Sequence, residues 1–99
     1  LKNNKIMTLT IKKNHGLYSV SGTLNSESAQ YFQTFFENIL EESDDLTIDI
    51  ENLIDIDEAG INAIRVLYNN ARNFERGFLV IGRVSQHILE SIRSIKIAA

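Results

Sequence analysis

The stretch Leu46 to Ile61, LTIDIENLIDIDEAGI, constrains the fold more than any other part of the chain. Leu46, Ile48 and Ile50 alternate with Thr47 and Asp49, the period-two pattern of a half-buried strand. A short irregular crossing is expected next, and then a turn, Asp57-Glu58-Ala59-Gly60, that opens a helix. Asp57 suits the N-cap, because a carboxylate oxygen there accepts a backbone N–H that has no partner inside the helix. Glu58 falls in the first turn, where the helix dipole favours negative charge. A strand that passes through a helix to reach the next strand calls for parallel pairing and a right-handed crossover.

The flanking sequence supplies the remaining elements. Met7, Leu9 and Ile11 alternate with polar residues, Asn14-His15-Gly16 signals a turn, and Leu17 to Leu24 resumes as strand, so an antiparallel hairpin is expected. Asn25 or Ser26 can cap a helix running to about Glu42, with Ala29, Phe32, Phe35, Phe36, Ile39 and Leu40 on one apolar face. Ser43-Asp44-Asp45 breaks it. The second helix is expected from about Glu58 to Phe74, with a buried stripe of Ile61, Ile64, Leu67, Tyr68, Ala71 and Phe74. Gly77 fits its stop. Phe78 to Ile81 is continuously apolar, as for a strand covered on both faces. Ser85 can cap a third helix whose apolar face is Ile88, Leu89, Ile92 and Ile95. The order β-β-α-β-α-β-α defines an α/β fold: a mixed, mostly parallel sheet of about four to five strands, with an N-terminal β-hairpin and helices packed on it.

Composition narrows the function classes. Ninety-nine residues with 43% hydrophobic content predict a single domain over residues 1–99. A net charge of -3, with scattered basic residues, argues against a nucleic-acid binder. The absence of Cys excludes disulfides, thiolate metal sites and a Cys nucleophile, and fits a reducing cytoplasm. The N-terminal residues lack the apolar core of a signal peptide, and no run reaches the roughly 18 apolar residues that span a bilayer. A cytoplasmic chain without membrane insertion is expected.

Around the turn the chain resembles the STAS domain family, that of bacterial anti-sigma-factor antagonists and of anion-transporter tails. In that family a hydrophobic strand ends in Asp; a few loop residues and an apolar pair follow, then Asp-Ser-Ser-Gly or Asp-Thr-Ser-Gly. Asp49, Leu53, Ile56, Asp57, Gly60 and Ile61 fall on those positions without a gap. The resemblance runs from Asp49 through Ile95. It is weaker in the first 45 residues, where Gly22-Thr23-Leu24-Asn25 matches the family's Gly-x-Leu-Asp. It implies a STAS-like sheet and a non-catalytic protein-interaction module. The implied docking residues are Asp57, Glu58, Ala59 and Gly60, with Asn25 and Arg65 beside them, and the implied partner is an anti-sigma factor of serine-kinase-like fold.

The second Ser of the family turn is the usual phosphorylation site, and Ala59 stands there. A methyl group cannot accept a phosphate, so no phosphorylation is expected at the turn. Glu58 lies one residue earlier and projects from a different position, so it does not replace a phosphoserine. Two readings stay open. One is constitutive binding of the anti-sigma partner. The other is an accessory subunit of an ABC-type lipid transporter, whose turn often reads Asp-Thr-Ala-Gly and whose partner would be the ATPase subunit. A homodimer also stays open.

The remaining candidates have plainer readings. Asp49, Glu51, Asp55, Asp57 and Glu58 are numerous enough to suggest a Mg²⁺ site, but loop carboxylates facing water account for them. His15 and His87 have no partner at ligand spacing, and no nucleophile elbow accompanies any serine. Phe32, Phe35 and Phe36 fit a core better than a ligand stripe. No glycine-rich phosphate loop is present, and neither a cofactor nor a metal is expected.

Overall fold

Residues 8–84 and Glu90 are described by the computed structural model of this chain. Strands β1 (Leu9–Asn14) and β2 (Leu17–Leu24) pair antiparallel across His15-Gly16. Both turn residues hold positive φ, 55° at His15 and 82° at Gly16, which a primed two-residue hairpin turn requires. Helix α1 (Ala29–Glu42) leads to β3 (Asp45–Ile56), helix α2 (Glu58–Asn73) and β4 (Gly77–Ile81). The strands lie side by side in the order β1-β2-β3-β4, with β2–β3 and β3–β4 parallel. This is the mixed, mostly parallel sheet behind an N-terminal hairpin that the sequence predicts. The expected third helix from Ser85, with Ile88, Leu89, Ile92 and Ile95, lies outside the described residues, as do Met7 and His87.

One apolar layer joins the helices to the sheet. Phe32, Phe36 and Leu40 of α1 and Ala63, Ile64, Leu67 and Ala71 of α2 are buried against Val20, Leu24, Leu46, Ile48, Ile50 and Val80 of the strands. The helices also pack on each other, so both crossovers use the same face of the sheet. Phe36 meets Tyr18 edge to face at 5.4 Å and Phe32 at 5.1 Å. Such pairs contribute about 0.5–1.5 kcal/mol each beyond their buried area.

Four expectations need correction. First, the irregular crossing after Ile50 is strand: β3 continues to Ile56. Ser19 pairs with Asp49 but Ser21 with Asn52, and Gly22 with Leu53 but Thr23 with Asp55, so β3 carries an extra residue at each of two bulges. Each extra residue shifts the inward phase by one. The residues facing the core are therefore Leu46, Ile48, Ile50, then Leu53, then Ile56, and a search for strict alternation loses the strand halfway.

Second, β4 is not covered on both faces: Leu79 is 55% exposed, because α1 and α2 occupy only one side of the sheet. Third, Phe74 is half exposed rather than part of the buried stripe, because it is already the C-cap of α2. Fourth, Gly77 does not stop the helix. Glu75 holds the left-handed conformation at φ 57°, with Arg76 N donating to Ala71 O and Glu75 N to Arg72 O, the two bonds of a Schellman motif. Gly77 instead opens β4, where a Cβ would stand 2.3 Å from Asp45 Oδ1.

Candidate functional site

The connections that follow β2, β3 and β4 all leave the carboxyl ends of parallel strands. In open α/β sheets this is the end where binding sites gather. The β3–α2 turn is the best defined of them. Asp57 is the N-cap of α2, and its Oδ1 accepts from Gly60 N at 3.0 Å. Its Oδ2 accepts from Ser26 N at 3.3 Å, across to the β2–α1 turn. Asp57 N donates to Leu24 O at 3.1 Å. One residue therefore caps the helix and ties it both to the end of β2 and to the neighbouring turn. Gly60 is buried beneath, and Ala59 is half-buried. Glu58 is exposed in the first turn of α2 and makes no ion pair among the described residues.

Asn25 lies in that neighbouring turn, and its side chain faces inward. Its Oδ1 accepts from Glu27 N at 2.9 Å and Ser28 N at 3.3 Å, while Asn25 N donates to Ser28 Oγ at 3.0 Å. Ser28 Oγ donates in turn to Thr23 O at 2.8 Å, which satisfies the buried hydroxyl. Of the two expected caps, Asn25 holds this turn through its side chain, whereas Ser26 contributes its backbone N–H to Asp57. The N-cap residue of α1 itself is Ser28.

Asn25 and Asp57 are thus brought into adjacent turns, but Arg65 is not brought to them. It lies two helical turns along α2, about 10 Å at the usual rise per residue, and its guanidinium donates to Asn62 Oδ1. Glu58, Asn62, Arg65, Asn69 and Arg72 follow helical spacing along one solvent-facing strip.

The acidic residues near the turn have separate local donors. Asp49 Oδ1 accepts from Glu51 N at 2.8 Å, and Asp55 Oδ1 from Ile56 N at 2.9 Å. Glu51 accepts from Arg83 N at 2.6 Å and pairs with the Arg83 guanidinium. Among the described residues no three carboxylates or histidines converge on a point where a cation would sit. No described helix is long and apolar enough to cross a membrane.

The backbone N–H of Arg83, and then its guanidinium, hold the Glu51 carboxyl below the ordinary carboxylate range. A folded-state pKa below the unfolded value stabilises the fold above the ordinary carboxylate range, and that contribution is lost as pH falls through the lowered value. Arg83→Ala removes the side-chain part and keeps the backbone donor. An NMR titration should therefore show the Glu51 carboxyl moving only partway back to the ordinary value. A titration unchanged by the substitution would show that the Arg83 side chain has no part in it.

Sequence reasoning missed one exposed residue beside the turn. Ile54, in the second half of β3, is 84% exposed. Its only sequence signal is the broken alternation of LIDI after Asn52.

The family model of the STAS domain matches residues 7–98. Solved structures with similar folds include an anti-sigma factor antagonist from Mycobacterium paratuberculosis, with a TM-score of 0.64, 23% identity, and coverage of 77% of this chain and 67% of that one. The anti-sigma factor antagonist SpoIIAA in its unphosphorylated form gives a TM-score of 0.59 at 7% identity, covering 86% of this chain and 97% of that one. SiaC of Pseudomonas aeruginosa gives 0.59 at 19% identity, covering 94% and 87% respectively. At these identities the likeness is one of fold. The comparison with curated proteins gives no significant match.

Proposed function

The chain belongs to the STAS domain family, and from that premise we propose that it is a non-catalytic protein-interaction module of the anti-sigma-factor-antagonist kind. It docks through the Asp57–Gly60 turn and the first turns of α2 onto an anti-sigma factor of serine-kinase-like fold. The supporting observation is the use of Asp57. Both of its carboxylate oxygens already accept backbone N–H groups, one from its own helix and one from the β2–α1 turn. A carboxylate held this way fixes two adjacent turns as one preformed surface, which lowers the ordering cost of docking.

Ala59 sets the regulation. It stands where the family turn carries its phosphorylated serine, so this surface stays available without a phosphate switch. A phosphoryl group there would add a charge of about -1.5 to -2 beside Asp57 and Glu58, and the cost of desolvating that charge against an apolar part of the partner would oppose docking.

The test is affinity purification of the native complex with wild type and with Ala59→Asp. An anti-sigma kinase captured by wild type and lost with the variant is the expected result. Equal capture by both forms would show that the turn is not the docking surface. Capture of a transporter ATPase would assign the module to membrane transport instead.

A further inference from the structure

Among the described residues nothing packs over Ile54 to account for it. It is the most exposed of the large apolar residues described, at 84%. On the β2 side it sits inside the second bulge, where Gly22 faces Leu53 and Thr23 faces Asp55, so Ile54 has no cross-strand partner. On the β4 side the ladder stops at Asp49 opposite Ile81, and past Glu51 no described strand flanks β3. An isoleucine left in water forgoes the stabilisation of burial, and this one lies three residues before the Asp57 cap.

Its surroundings restrict what can cover it. Residues 52–64, on either side of Ile54 and the turn, contain Asp55, Asp57 and Glu58 and no Lys or Arg. None of these three has an ion-pair partner among the described residues, whereas Glu51, three residues before Ile54, is already paired with Arg83. A second copy of this chain would bring the same acidic rim against itself, and like charges in close contact oppose that pairing. Addition of a partner strand is also disfavoured. The edge is bulged, carries charge, and turns Ile56 N onto Asp55 Oδ1, features by which proteins block edge-to-edge pairing.

We propose that Ile54 is the apolar anchor of the docking surface and that its occupant is a partner protein presenting an apolar socket rimmed by Lys or Arg. This inference rests on the docking reading above and adds to it the chemistry of the partner. The isoleucine supplies the desolvated centre of the contact, and the carboxylates around it select a basic rim and speed encounter.

The test places a photo-cross-linking amino acid at Asn52, beside Ile54, and separately at Asn62 on α2, in the full chain expressed in its native cell. The expected result is one protein trapped from both positions, with the Asn52 adduct mapping to a segment that contains Lys or Arg. Adding Ile54→Ala should lower the Asn52 adduct about ten-fold or more and leave the melting temperature nearly unchanged, since the side chain is 84% exposed. An adduct that survives Ile54→Ala, an adduct on an acidic segment, or one on a second copy of this chain would overturn the inference. Trapping from Asn62 alone would overturn it while leaving the docking reading intact. Silence at both positions would remove both.

Discussion

Gly22→Ala is expected to destabilise the protein by about 2–5 kcal/mol, summing an L-residue held at positive φ with an overpacked contact. Gly22 holds φ 96°, a conformation that side-chain-bearing residues rarely adopt. A Cβ built there would stand 1.8 Å from Thr8 O and 2.9 Å from Thr8 C, and both are backbone atoms that cannot rotate away. Thr8 O also accepts from Thr23 N at 3.0 Å, so relieving the clash breaks the bond that closes the start of the hairpin. The same glycine lies at the second register shift between β2 and β3. The damage therefore reaches the strand that ends at the Asp57 turn. Urea unfolding should show a lower midpoint with an unchanged slope, and faster amide exchange at Leu9 and Ile11. A midpoint equal to that of wild type would mean that β1 can shift away from β2 without loss.

The resemblance of Gly22-Thr23-Leu24-Asn25 to the family's Gly-x-Leu-Asp thus has a physical content that the sequence alone did not display: a backbone conformation at Gly22, a buried Leu24, and a turn closed by the Asn25 side chain. What was legible came from periodicity. α1 runs from Ala29 to Glu42 as its phenylalanine spacing predicts, and β2 keeps its predicted ends. What was not legible came from long-range pairing.

The second half of β3 is strand only because β2 runs beside it, and its two bulges erase the alternation that would have revealed it. Glu75 shows the same thing at a helix end. Nothing local favours Glu over Gly in a left-handed C-terminal position, yet the Schellman bonds place it there. At the site, the Asp57 cap was readable from its place at the turn that opens the second helix. The bond from Ser26 N to Asp57 Oδ2, 31 residues apart in sequence, was not, and that bond joins the two turns. Arg65 shows the converse: being close in sequence along α2 leaves it about two turns from the helix end, where its guanidinium donates to Asn62.

Gly60→Ala separates packing from propensity at the site itself. In an ordinary helix interior this change would stabilise by about 1 kcal/mol, because glycine loses more backbone entropy on folding. Here the added methyl would lie 2.6 Å from Leu24 O and 2.8 Å from both Leu24 Cγ and Ile56 Cγ1. Leu24 is fully buried and Leu24 O accepts from Asp57 N, so neither neighbour can yield without loosening the turn. Overpacking of about 1–3 kcal/mol plus a weakened bond of about 1 kcal/mol outweighs the propensity gain, for a net loss of about 1–3 kcal/mol. The amide signals of Ser26 and Asp57 should shift together, because one carboxylate links both turns. If Gly60→Ala instead raised the unfolding midpoint, the close seating of α2 on the end of β2 would not be what holds the turn, and the preformed surface invoked for docking would lose its physical basis.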